Sequence, residues 1–391
     1  FSGCSGLTNL MLPEKVTDIG YRFISGTQVT SITIPQTIEY VGVDTHGNLG
    51  MAYGPLTGAL KLEEVIFEDG IKKIPAYMCR TTYNDKWSSD TINNIKTVKI
   101  PDSVETIGEY AFYNCDKITR IDFPKSLKSI EHAAFYDCDN ITEIRTIYNS
   151  ENTVKIGSSA FALCDKLENI ELAENVIGIG NYAFSGCSKL INLTLPESIE
   201  NIGYSFINGT QITSITIPKN IVYVGAERHG DYSKAYGPLT GALKLEEVIF
   251  EDGIKKIPAY MCRTTYNDKW SSDTINNIKT VKIPDSVETI GEYAFYNCDK
   301  ITRIDFPKSL KSIEHAAFYD CDNITEIRTI YNSENTVKIG SSAFALCDKL
   351  ENIELAENVT DIGNYAFGGC SRLINLTLPE SLTSLGDCVI Q

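Results

Sequence analysis

Apolar residues along the chain follow one recurring pattern. In Tyr110–Pro124 (YAFYNCDKITRIDFP) it reads A-F-x-x-C-x-x-I-x-x-I-x-F-P, and L-x-x-I follows before the next A-F pair. The phenylalanine of that pair recurs at Phe112, Phe135, Phe161 and Phe184, at spacings of 23, 26 and 23 residues. The I-x-x-I-x-F segment (Ile118, Ile121, Phe123) alternates apolar and polar positions and predicts a short, half-buried strand. Pro124 ends it, because proline has no N–H for a continuing ladder. Leu127-x-x-Ile130 turns inward again on the opposite wall. Glycine often follows (Gly20, Gly108, Gly157, Gly180), which predicts a bend or a close backbone approach. Few stretches carry a helical period, so the far wall should consist of extended segments and turns.

Repeats of this length and apolar spacing mark a leucine-rich repeat solenoid, in which each coil touches only its neighbours. Parallel strands then stack at ~4.8 Å per coil. The expected architecture is a β-rich, right-handed, curved solenoid of the α/β superhelix type, with a parallel sheet on the concave wall and few helices. A long duplication overlies the repeat. Ala52–Val176 is identical to Ala235–Val359, at an offset of 183 residues. Residues 1–391 thus read as one solenoid of about fifteen coils: copies at 1–183 and 184–366, and a partial third at 367–391. The seven coils of the first copy start at Phe1, Phe23, Leu56, Cys79, Phe112, Phe135 and Phe161. Phe1-Ser2-Gly3-Cys4 matches Phe184-Ser185-Gly186-Cys187, so the chain starts inside a coil and reads as a fragment.

Two coils break the period by ten residues each. The inserts are Gly42–Pro55 and Arg80–Thr91, repeated as Gly225–Pro238 and Arg263–Thr274. One precedes and one follows the phenylalanine corner, with a single coil between, so both should emerge along the same edge. Insertions in repeat proteins map to one face, often the binding face. Candidate ligand-binding residues are Tyr53, Tyr83, Asp85 and Trp87, with Tyr236, Tyr266, Asp268 and Trp270 in the second copy. Tryptophan, tyrosine and arginine are favoured at binding hot spots. The competing reading lays Trp87 down as a lid on its own scaffold. The alternative surface is the strand face, where Arg120, Asp122, Glu143 and Arg145 could form a ladder of opposite charges between neighbouring strands.

Composition narrows the function. Lysine and arginine total 35 against 51 acidic residues, a net charge of −16. This disfavours nucleic acid and polybasic membrane contact. No apolar run approaches the ~20 residues of a membrane span. Five cysteines (Cys4, Cys115, Cys138, Cys164, Cys187) share one register position, which other coils fill with Gly26, Ala59 and Gly209. They are expected to be small buried residues with free thiols, since parallel stacked side chains seldom meet disulfide geometry. Cys79 falls at the phenylalanine position, while Cys388 has no evident place. No C-x-x-C or Cys/His cluster suggests zinc. His132 and His315 align with an exposed position, and His46 and His229 lie in the first insert. No Ser/His/Asp set shares a location. Gly178-x-Gly180 lacks the rest of a dinucleotide motif, and Asn84–Asp90 lacks the glycine and glutamate of a calcium loop. No cofactor or metal is expected, and the chain reads as a monomer and not as an enzyme.

The combined run of Ile118–Cys138 and its copies, I-x-x-I-x-F-P, L-x-x-I and A-F-x-x-C, resembles the BspA-like leucine-rich repeats over nearly the whole chain. The resemblance implies a cell-surface or secreted protein of a host-associated bacterium or a mucosal protozoan. It implies adhesion to host protein or glycan, or to another microbial surface. The family supplies no catalytic residues and no fixed binding motif. Two functions stay open: a binding module, or a stalk that presents another domain. In the first, seven coils at ~4.8 Å would set two identical insert pairs roughly 30–35 Å apart and allow bivalent capture.

Overall fold

The computed structural model describes residues 1–43, 52–80, 94–145, 152–225, 236–263, 277–328 and 335–391. It divides into two compact units, Phe1–Pro196 and Glu197–Gln391. Among the described residues there is no helix; each coil after the first contributes a front strand, a rear strand and a turn segment, and the first lacks the front strand.

In the first unit, front strands Ser31–Ile34, Glu64–Phe67 and Thr97–Lys99 pair in parallel. Arg120–Asp122, Glu143–Arg145, Asn169–Glu171 and Asn192–Thr194 form a second parallel group. On the rear wall Asp18–Ile19 pairs with Tyr40–Val41. After a break, Lys73–Ile74, Thr106–Ile107, Ser129–Ile130, Val154–Ile156 and Val176–Ile179 form one sheet. The second unit repeats the scheme. Its front strands are Ser214–Ile217, Glu247–Phe250 and Thr280–Lys282, then Arg303–Asp305, Glu326–Arg328, Asn352–Glu354 and Asn375–Thr377. Tyr223–Val224 pairs with Asn201–Ile202, and a separate rear sheet runs from Lys256–Ile257 to Ser384–Leu385.

The alternation places Ile118, Ile121, Leu127, Ile130, Phe112 and Cys115 in the core at 1% exposure or less. Phenylalanine rings stack down the coils. Phe112 and Phe135 lie 5.0 Å apart, Phe135 and Phe161 5.3 Å, and Phe161 and Phe184 5.7 Å, all nearly parallel. Phe123 abuts Phe135 and Phe161 edge-on. Each buried ring contributes roughly 1.5–3 kcal/mol by leaving water.

The turn segment is a third ladder. Tyr110, Phe112 and Asn114 donate their N–H groups to the carbonyls of His132, Ala134 and Tyr136 in the next coil at 2.8–3.0 Å. Ala111, Tyr113 and Cys115 close i→i−3 turns within the coil. Aiming alternate amides at the next coil places Tyr110 (φ 55°) and Asn114 (φ 56°) in the left-handed region, as at Ala133 and Asp137. Such a conformation costs a non-glycine residue about 1–2 kcal/mol, which an inter-coil hydrogen bond of about 1 kcal/mol largely offsets. The corner glycine behaves as expected: a Cβ on Gly108 would lie 2.6 Å from Ala76 N and from Ile74 O.

One register assignment is corrected. Gly20 and left-handed Arg22 match Gly108 and Tyr110, so Ile24, fully buried, takes the phenylalanine place, and Phe23 is only half-buried. Thr27 and Thr210, rather than Gly26 and Gly209, then occupy the cysteine position; Ala59 does so as expected.

Candidate functional site

Front-strand register sets Glu143 between Arg120 and Asn169, and Asp122 opposite Arg145. The expected cross-strand charge ladder is not what Arg120 makes. Its Nε and Nη2 turn along its own strand to Asp122 Oδ1, at 2.9 and 2.6 Å. The side chain of Arg145 lies outside the described set. Glu64 accepts from Lys99 at 2.8 Å and from Ser31 at 2.9 Å, and these bonds, Lys99 first, hold its carboxyl below the usual range. Asn192 donates to Asn169 at 2.8 Å. The face is largely self-neutralised by exposed pairs, each worth less than about 1 kcal/mol.

The insert roots present a different surface. Tyr83, Asp85, Trp87, Tyr266, Asp268 and Trp270, with His46 and His229, lie outside the described residues. What can be placed is where each insert leaves the turn column. Gly54 N–H donates to Thr57 Oγ1 at 2.9 Å, and Thr57 Oγ1 donates to Arg80 C=O at 2.7 Å. Thr57 is fully buried. One hydroxyl therefore ties the root of the first insert to the root of the second, and Gly237, Thr240 and Arg263 repeat the link. The two roots do share an edge.

Around that link lies an aromatic patch that sequence reasoning missed. Arg80 is fully buried, with its guanidinium 4.2 Å from the Tyr113 ring centre, 4.9 Å from Tyr110 and 5.4 Å from Tyr77. Tyr77 and Tyr110 stack at 5.1 Å, and Tyr113 and Tyr136 at 5.0 Å. His132, exposed as expected, meets Tyr110 edge-on, its Nε2 3.0 Å from the hydroxyl. Burial, opposed by the Arg80 charge, pushes the Tyr113 phenol up to about 12. Burial lowers the Arg80 pKa, opposed by the tyrosines, yet an arginine stays charged. A cavity of about 180 Å³ opens here, lined by Arg80, Tyr110, Tyr113, His132, Tyr136 and Ser159, among others. The second unit repeats the patch as Arg263 over Tyr260, Tyr293 and Tyr296, with Tyr319 stacked on Tyr296 at 5.1 Å. Tyr53 sits beside it, half-buried under the Arg22 guanidinium at 5.2 Å. Tyr236 is half-buried too, with Ser205 where Arg22 stood. The available signal was tyrosine two places before or one place after the phenylalanine position, in coils bordering the second insert.

None of the twelve cysteines is in a disulfide. They are more than small hydrophobes. Cys138 Sγ donates to Phe112 C=O at 3.0 Å, Cys164 to Phe135 at 3.3 Å and Cys187 to Phe161 at 3.1 Å, each one coil back. Cys79, fully buried, replaces the phenylalanine of its coil as expected. Burial drives the core thiols far above their ordinary pKa. Cys4 is exposed rather than buried as its register position implies, and exposed Cys388 takes the left-handed turn position. After the cysteines run Asp116, Asp139 and Asp165. Burial first, and then Asp139 and Asp137, push Asp116 up to about 6; Asp137 is raised to about 6 in the same way. No group of three metal-ligating side chains occurs among the described residues. No helix among them is long and apolar enough to cross a membrane.

A family model described as the BspA type leucine rich repeat region matches residues 1–49, 82–155, 144–234 and 268–391, in six copies. No curated protein matches the chain. A solved leucine-rich repeat protein from Bacteroides ovatus is 22% identical, with a TM-score of 0.54 over 95% of this chain and 87% of that one. It shares the fold. A leucine rich cell surface protein from Faecalibacterium prausnitzii is 22% identical over 97% and 92% of the two chains, with a TM-score of 0.38. The pneumococcal vaccine antigen PcpA is 17% identical over 91% and 84%, with a TM-score of 0.44.

Proposed function

The chain belongs to the BspA-type leucine-rich repeat family, and from that premise we propose that it is a non-catalytic binding module of the cell surface or extracellular space. It holds a host extracellular protein or glycan, or another microbial surface, through the aromatic–arginine patch at the insert roots. The observation that carries this reading is the patch itself. Stacked tyrosines over a buried arginine occur at the same place in both copies, half-buried in the first and with Tyr260, Tyr293 and Tyr296 buried in the second, joined to both insert roots by one threonine hydroxyl. Tyrosine faces of this kind suit sugar rings and protein side chains alike, and arginine-backed aromatics are typical hot spots. The strand face supports binding less well, because its charges already answer one another.

The test is capture from extracellular-matrix and mucin extract. The intact chain is compared with two doubly substituted chains, Tyr136→Ala/Tyr319→Ala and Trp87→Ala/Trp270→Ala, each shown by circular dichroism to be folded. Capture by the intact chain and loss in either variant supports the patch and its inserts. Loss only in an Arg120→Ala/Asp122→Ala chain moves the site to the strand face. No capture by any of them favours a stalk.

A further inference from the structure

The rear wall is interrupted once in each unit, and its sequence accommodates the interruption. Tyr40–Val41 pairs back to Asp18–Ile19 and Lys73–Ile74 pairs forward to Thr106–Ile107, but the two strands do not pair with each other. One coil later the ladder closes: Glu105 N–H reaches Lys72 C=O at 2.8 Å, and Gly108 N–H reaches Ile74 C=O at 2.9 Å. At the interruption, Lys72 N–H, Glu39 C=O and Val41 C=O have no partner among the described residues. Pro75 stands where other coils have the corner glycine. It lacks the N–H that would have met Val41 C=O. Its ring also needs space that a closed ladder denies, as the 2.6 Å approach at Gly108 shows.

The gap holds a cavity of about 610 Å³, lined by Ile38, Val41, Val43, Ile71 and Pro75 among others, with Lys72 and Lys73 alongside. One extended residue in a packed sheet fills ~3.3 × 4.8 × 10 Å, or ~160 Å³. The cavity therefore has room for about four residues. The second unit has the same interruption, between Tyr223–Val224 and Lys256–Ile257, with Pro258 at the corner.

We propose that the interruption is a slot for an extended, acidic–apolar peptide segment of a partner, about four residues long, which enters as the missing strand. Charge complementarity selects this occupant. Carbonyls of Glu39 and Val41 on one rim await N–H donors, and Lys72 N–H on the other awaits a carbonyl. Alternate apolar side chains fill the lining. Acidic ones face the Lys72 and Lys73 ammonium groups, which are 67% and 54% exposed and reach Glu105 and Glu131 only at 3.3 Å. Glu39 opposes such a ligand at one end; the second unit has Val222 there, 81% exposed, so its slot is the more cationic. The slot meets the aromatic patch at Tyr77, but the peptide-binding test reads the rear-wall amides and not the patch.

The test uses the full chain and the capped peptide Glu-Val-Glu-Val-Glu, with an alternately N-methylated version and Lys-Val-Lys-Val-Lys as controls. Amide exchange is followed by NMR. In the free chain the Lys72 and Lys255 amides should exchange roughly a hundredfold faster than Glu105 and Glu288. The acidic peptide should bind saturably and slow them, and both controls should bind at least roughly tenfold more weakly. Protection of Lys72 equal to that of Glu105 in the free chain would mean the slot is already closed and overturns the proposal. So does equal binding of the N-methylated peptide, or no binding of the acidic peptide at millimolar concentration.

Discussion

Replacing Phe135 by alanine tests the packing that holds the coils together. The ring is fully buried, sandwiched between Phe112 at 5.0 Å and Phe161 at 5.3 Å, with Phe123 edge-on at 5.8 Å. Truncation of a buried phenylalanine costs about 3–5 kcal/mol through lost transfer energy and the cavity left behind. Three ring contacts, each worth about 0.5–1.5 kcal/mol, place this site at the upper end, near 5 kcal/mol. The neighbours cannot collapse into the space, because the turn ladder fixes coil spacing through Phe112 N–H to Ala134 C=O and Phe135 N–H to Ala160 C=O, both 2.8 Å. Phe1 is the matched control: it has the same register position but is 64% exposed. Phe1→Ala should cost less than about 0.5 kcal/mol. Urea unfolding followed by far-ultraviolet circular dichroism compares the two. In a solenoid the loss is local, so Phe135→Ala should split or broaden the transition as well as move it. Equal effects of the two substitutions, or a Phe135→Ala cost under about 1 kcal/mol, would refute the stacked-ring account.

Other expectations follow from the same structure. Thr57→Val strands Gly54 N–H and Arg80 C=O in the core and should cost about 2 kcal/mol or more, read as a fall in urea midpoint, while Thr57→Ser should restore much of it. Of the twelve thiols only Cys4 and Cys388 are exposed, so a chromogenic disulfide reagent should titrate two in the folded chain and all twelve in denaturant. The folded pKa values of Asp116 and Asp137 are raised to about 6, so their contribution to stability is full below the unfolded value and is lost as pH rises through about 6. Glu64, Asp102 and Glu105 are lowered by lysine hydrogen bonds and act oppositely, their contribution being lost as pH falls below the ordinary carboxylate range. Thermal stability should therefore peak at about pH 4.5 and fall from there through about pH 6, and Asp116→Asn with its second-unit counterpart Asp299→Asn, whose carboxyl burial pushes up to about 7, should flatten that decline.

The fold was largely legible because each coil repeats the same physical demand. Alternation in Ile118–Phe123 marks the front strand, proline its end, and Leu127 and Ile130 the rear strand. What escaped was carried by backbone geometry. Nothing in Tyr110 or Asn114 as residue types announces a left-handed conformation; the need to aim alternate amides at the next coil imposes it. The one-place shift at Ile24 escaped because Phe23 is the more conspicuous apolar residue, whereas Gly20 and the turn set the register. Cysteine read as a small filler, and its thiol donation becomes visible only when the preceding coil's carbonyl is in place. The roots of the two inserts lie on one edge, as period and offset determine. The patch at their roots was overlooked because Tyr77, Tyr110 and Tyr113 are distributed over two coils and converge only around Arg80. Pro75 in place of glycine was a readable sign of the interrupted rear wall.

Hydroxyl-radical footprinting of the tyrosines, free and in contact with the matrix and mucin extract, tests the binding account most directly. The account predicts that the half-buried Tyr110, Tyr136 and Tyr319 lose reactivity on binding, while Met11 and the front strands keep theirs. Protection confined to the front strands, or unchanged tyrosines in a chain that demonstrably holds a ligand, would contradict it.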